Sequence, residues 1–103
     1  MSKNFASSCK VFFAGNVEHD GFSHYVIFGK HINGGFVAVP SLGISAEQSL
    51  HNDRGYNVDK LTRAGMDAGT AAAIVDFCTD WVKENRPDTS SVNIAEYFGL
   101  KNK

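Results

Sequence analysis

His19, His24, His31 and His51 are the side chains of this sequence best suited to chemistry near neutral pH, because imidazole titrates there and ligates zinc as the neutral ring. A zinc centre needs three or four ligands on one framework, and the spacing does not supply them. His24 and His31 stand seven apart in one β-prone run, which sends their side chains to opposite faces of a strand. His19 falls in a turn and His51 in a loop, so the four read as solvated or locally hydrogen-bonded histidines and no metal ligand is assigned.

The densest polar cluster is His51-Asn-Asp-Arg54, followed by Gly55-Tyr56. A His beside an Asp can act as a general base, and loops on a rigid scaffold are where binding residues concentrate. No Ser or Cys stands in a nucleophile elbow, and adjacency in sequence does not provide the hydrogen-bond geometry of a triad. The competing reading is a turn-forming loop in which Asn52 and Asp53 bond their own backbone. No catalytic residue is assigned, and a small hydrolase or ligand-binding protein using the His51 to Tyr56 loop stands as the alternative function.

Two further groups carry no signature. Gly29-Lys30 and Gly34-Gly35 lack the strand-to-helix context of a phosphate loop, so no cofactor is expected, and Gly29 reads as room for a bulky neighbour or a bulge. Cys9 and Cys78 follow no ligand spacing and are expected to be two small buried apolar residues rather than a bridge.

The elements that must position these residues begin with a strand at Lys10 to Ala14, extending toward Val17, in which Phe12 and Phe13 are expected on opposite faces. Asp20-Gly21 supplies turn chemistry. Two β-prone runs between His24 and Val39 flank Asn33-Gly34, the dipeptide suited to a two-residue hairpin turn. That turn sets Ile32 opposite Gly35, His31 opposite Phe36, Lys30 opposite Val37 and Phe28 opposite Val39. Pro40 ends the third strand, and a short fourth strand is expected over Gly43 to Ala46. Asn57 then caps a helix from Val58 to Ala64, with Gly65 as its stop. Asp67 caps a longer one, about 68 to 86, whose Ala71, Ile74, Val75, Cys78 and Val82 share one face. A last short helix is expected between Thr89 and Phe98. Strands first and helices after imply α+β, an antiparallel sheet of three or four strands in meander order with two or three helices on one face.

The composition bounds what this object can do. The chain has 103 residues, 43% of them hydrophobic, which suits one domain over residues 1–103. Ten Lys and Arg against eleven Asp and Glu, interspersed, provide no basic stripe, so direct nucleic-acid binding is disfavoured. No apolar run approaches the roughly 20 residues that span a bilayer, and the N-terminus lacks an apolar signal core, so a cytoplasmic protein is expected. Twelve aromatic residues, eight of them Phe, exceed what one small core buries. A sheet face carrying Tyr25, His31 and Phe36 is the expected patch, and aromatic anchors of that kind favour a protein partner. The competing reading covers those rings with the N-terminal arm or the helices.

The run Val26-Ile-Phe-Gly-Lys-His-Ile-Asn-Gly-Gly-Phe-Val-Ala-Val-Pro40, with Leu42-Gly-Ile-Ser45 and Tyr56-Asn-Val-Asp-Lys-Leu61, resembles a family of short bacterial and mobile-element proteins of unknown function. The likeness covers about a third of the chain and departs at Gly35, where that pattern often has a large aromatic, and after Pro87. It implies a fold and a genomic habit and no activity. Small mobile-element proteins are often non-enzymatic inhibitors of host systems, anti-CRISPR proteins among them, so the resemblance raises an inhibitor expectation. The expected function is a non-enzymatic protein-binding module that blocks a host protein through the sheet face or the loop. Tyr25, His31, Phe36, His51, Asp53, Arg54 and Tyr56 are its candidate contacts. Self-association through an edge strand or the aromatic patch is a further expectation.

Overall fold

Asp20 and Gly21 have φ of 52° and 81°, the left-handed values that a two-residue turn of matching twist requires. They close the first hairpin, with His19 opposite Phe22. Because that turn anchors the ladder, β1 runs over Lys10–His19, well past Ala14, and β2 over Phe22–His31. β3 follows at Gly34–Val39, a 3-10 turn at Pro40–Leu42, and β4 at Ile44–Gln48. The computed structural model describes residues 9–31 and 34–89, and the expected helix between Thr89 and Phe98 lies outside that range. The sheet is four-stranded, antiparallel and in meander order, and two helices, α1 at Arg54–Arg63 and α2 at Ala68–Asn85, complete an α+β fold.

The second hairpin pairs two residues away from the expected register. His31 stands opposite Gly34, Lys30 opposite Gly35, Gly29 opposite Phe36 and Phe28 opposite Val37. Gly34, at φ 141°, is the first ladder residue of β3 rather than the second turn residue. A shift of two leaves every side chain on its expected face. Packing selects the observed register: it sets the buried Phe28 against the buried Val37, and it places Gly35 where a Cβ would lie 2.7 Å from Leu50 Cδ2 and 2.8 Å from the Gln48 carbonyl oxygen.

Phe12 and Phe13 do not face opposite ways. Val11 pairs with Gly29 and Phe13 with Phe28, so Phe12 is the extra residue of a β-bulge, which breaks the alternation. Both rings consequently reach α2. Phe12 stacks on Trp81 with centroids 5.7 Å apart and meets Phe28 edge-on at 5.5 Å, while Phe13 lies 4.7 Å from Phe77. Gly29 is the condition for this arrangement, since a Cβ there would run into the Lys10 carbonyl.

Asp67 caps α2, its carboxylate accepting from the Thr70 N–H at 3.2 Å, and Arg86 ends the helix in the left-handed region before Pro87. Ala71, Ile74, Val75 and Cys78 are buried as the spacing predicts, against Val17, Val26, Phe28, Val37 and Val39 of the sheet. Cys9 departs from expectation. It precedes β1 and is exposed, whereas Cys78 is buried and its thiol is pushed up to about 12 by burial. No helix among the described residues is long and apolar enough to cross a membrane.

Candidate functional site

α1 begins four residues earlier than the capping pattern predicts. Asp53, not Asn57, is its N-cap, with the Asp53 carboxylate accepting from the Tyr56 N–H at 3.4 Å. Asn57 lies inside the helix because its side chain is engaged elsewhere. Its Oδ1 accepts from the Ser49 N–H, its Nδ2 donates to the Ser49 carbonyl at 3.0 Å, and Gln48 Nε2 donates to the Asn57 carbonyl at 3.2 Å. One buried amide thus clasps both backbone groups of a residue at the end of β4, fixing the chain between the sheet and α1. Within the linking loop, Asn52 takes φ 63° and the His51 N–H donates to Ser49 Oγ at 3.2 Å.

Beside the clasp, at this end of the sheet, lies a cleft of about 280 Å³. Its lining comes from Lys30 and His31 of β2, Gly34 and Gly35 of β3, Glu47 to His51 at and beyond the end of β4, and Asp53, Tyr56 and Thr89. Four of the seven expected contact residues, His31, His51, Asp53 and Tyr56, therefore meet in one place. Lys30, Glu47, Gln48 and Leu50 join them without a sequence signal, because they arrive through non-local pairings, Lys30 with Gly35 and Gly35 with Gln48. Gly35 departs from the resembled pattern for a physical reason: a side chain at that position has no room beneath Leu50.

A family model described as a family of unknown function, DUF6618, matches residues 4–80. The chain belongs to that family. The match to DUF6618 takes in the sheet, the clasped loop, α1 and α2 as far as Asp80, and so includes every lining residue of the cleft except Thr89. No curated protein and no solved structure matches the chain.

The remaining expected contacts lie elsewhere. Arg54 points to α2, where Nε donates to Asp76 Oδ1 at 2.8 Å and an Nη to Oδ2 at 3.2 Å. This two-pronged bond raises the pKa of Arg54 and holds the Asp76 carboxyl below its usual range, chiefly through the hydrogen bond itself. Its place is between the helices. Tyr25 and Phe36 lie on the sheet face turned away from α1 and α2, together with His31, whose ring stacks on Phe36 at 6.0 Å and 12°. Pairing across the strands sets Val11, Gly29 and Phe36 in one row on that face and Ala14, Ile27 and Ala38 in the next. Gly29 lies between Val11 and Phe36 with its outer side covered by the Lys10 backbone carbonyl, while Tyr25 is 46% exposed and Val11 52%.

The cleft chemistry is mixed in charge, with Lys30, Glu47 and Asp53 all in its lining. The Asp53 carboxylate is directed at the helix N-terminus, and among the described residues it makes no hydrogen bond to the His51 ring. Ser49 Oγ is bonded by the His51 backbone, not by its imidazole. No group of three or more His, Cys, Asp or Glu among the described residues is placed to hold a metal ion.

Proposed function

We propose that this chain is a non-catalytic protein-binding module that engages a partner with the sheet face opposite its helices. One observation supports the reading above others. Both helices pack on a single face, and the other face carries Tyr25, Phe36 and Val11, with His31 stacked on Phe36 beside the cleft. Aromatic anchors on an open sheet face suit a protein partner better than a base, because the surround lacks the basic charge that nucleic acid requires. Following the resemblance to short mobile-element proteins, the partner class is a host defence protein or complex, blocked in the manner of anti-CRISPR inhibitors.

The test is a tagged pull-down from bacterial lysate, with and without phage infection, read by mass spectrometry. The reading expects one stoichiometric host protein, lost with Tyr25→Ala and Phe36→Ala while the melting temperature stays close to that of the parent. Retention of the partner by both variants would overturn the assignment to this face, and Tyr56→Ala then reports on the cleft. An empty pull-down with folded protein counts against the module reading itself.

A further inference from the structure

Among the described residues no strand pairs with the outer side of β1, and that side is laid out for strand pairing. The closing pair of a two-residue hairpin, here His19 and Phe22, is hydrogen-bonded, and such pairs alternate along an antiparallel ladder. Phe13, Gly15, Val17 and His19 therefore direct their N–H and C=O groups to β2, whereas Ala14, Asn16 and Glu18 direct theirs outward. All three outward residues are exposed. Among the described residues β1 is an outer strand of the sheet, and between Phe13 and His19 it carries no Pro, Lys or bulge and a single carboxylate, Glu18. The other outer strand differs: β4 has only five residues and α1 packs beside it.

We propose that β1 pairs antiparallel with β1 of a second copy of this chain, about a two-fold axis through Asn16. In this register Asn16 meets its own counterpart, and an amide that both donates and accepts is satisfied by the same group across a two-fold axis. Ala14 then stands opposite Glu18 of the other copy, so the carboxylates are held apart. Val17 comes opposite Gly15, which has no side chain to oppose it. Moving the axis toward the turn sets Glu18 against Glu18, and like charges directly opposite are destabilising. Moving it the other way runs the pairing into the bulge at Phe12. A single register thus satisfies both charge and ladder geometry. The product is one continuous sheet made of two four-stranded halves, with the two open faces side by side.

Sedimentation of the full chain over a concentration series tests this, together with amide hydrogen exchange by NMR. The expected result is a mass rising to two chains. On dilution the amides of Ala14, Asn16 and Glu18 should lose protection while those of Gly15 and Val17 keep theirs. Asn16→Pro removes an outward N–H and leaves the β1–β2 bonds in place, and Asn16→Asp sets two carboxylates on the axis. Each should raise the dissociation constant by about tenfold or more, since symmetry counts every lost bond twice. Asn16→Asp, at an exposed position, serves if the proline variant does not fold. A monomer at every concentration overturns the proposal, as does a dimer in which the amides of Ala14, Asn16 and Glu18 exchange as freely as in the monomer.

Discussion

Replacing Asn57 by Ala should be among the most damaging single changes to this fold, although it removes little apolar surface. Asn57 is 6% exposed, and its amide makes two hydrogen bonds to the Ser49 backbone. Deleting it leaves a part-buried N–H and C=O unpaired, at about 1–3 kcal/mol each, while alanine returns about 0.5 kcal/mol of helix propensity. The net expectation is about 1.5–5.5 kcal/mol. For a domain of this size that lowers the melting temperature by about 6–44 °C, read by calorimetry or far-ultraviolet circular dichroism. Asn57→Asp sharpens the test. Its carboxylate still accepts from the Ser49 N–H, but it faces the Ser49 carbonyl with a lone pair and is desolvated, so its folded pKa rises above the unfolded one. The stability of that variant is then greatest below the unfolded carboxyl pKa and falls as pH rises through the folded value. A loss below about 3 °C for Asn57→Ala would refute the idea that the clasp holds the loop, since waters would be serving Ser49 equally well.

Other outcomes follow from single contacts. Gly29→Ala should unfold the β1 bulge or cost several kcal/mol, because the obstacle is the Lys10 backbone and not a side chain that can turn away, whereas Gly55→Ala meets nothing within 4 Å and should raise stability by up to about 1 kcal/mol in denaturant titrations. The Asp76 carboxyl is depressed in the folded state, so its contribution is present above the unfolded carboxyl pKa and is lost as pH falls through the folded one. Asp76→Asn should flatten that part of the acid limb, by a small amount at so exposed a site. In native protein at pH 8 a thiol reagent should modify the exposed Cys9 quickly and reach Cys78 only on unfolding. Fast reaction of both would contradict the burial that pushes the Cys78 thiol up to about 12.

Local chemistry was legible where one residue type decides a backbone conformation. Asp20-Gly21 as a turn, Pro40 as a strand end, Asp67 as a cap and the apolar face from Ala71 to Cys78 all follow from φ preference, a missing N–H, a side-chain acceptor or a period of 3.6. The start of α1 was not legible, because Asp53 and Asn57 are both good caps and the choice depends on Ser49, eight residues before Asn57. The same holds for Arg54, which reads as a loop cation until Asp76 is found across from it. Periodicity placed Tyr25, His31 and Phe36 on one face whichever register holds, since registers two apart share faces.

Sequence alone determined the α+β order of elements, the meander, and the separation of a helix-covered sheet face from an aromatic one, because each rests on local propensity and on side-chain parity. Only the tertiary structure decided the hairpin register, the bulge that turns both Phe12 and Phe13 toward Trp81 and Phe77, and the cleft that joins His31 to His51 and Asp53. Those features depend on excluded volume at Gly29 and Gly35 and on the hydrogen bonds of Asn57. The atoms that enforce them, the Lys10 carbonyl, the Leu50 side chain and the Ser49 backbone, lie eight to nineteen residues away along the chain.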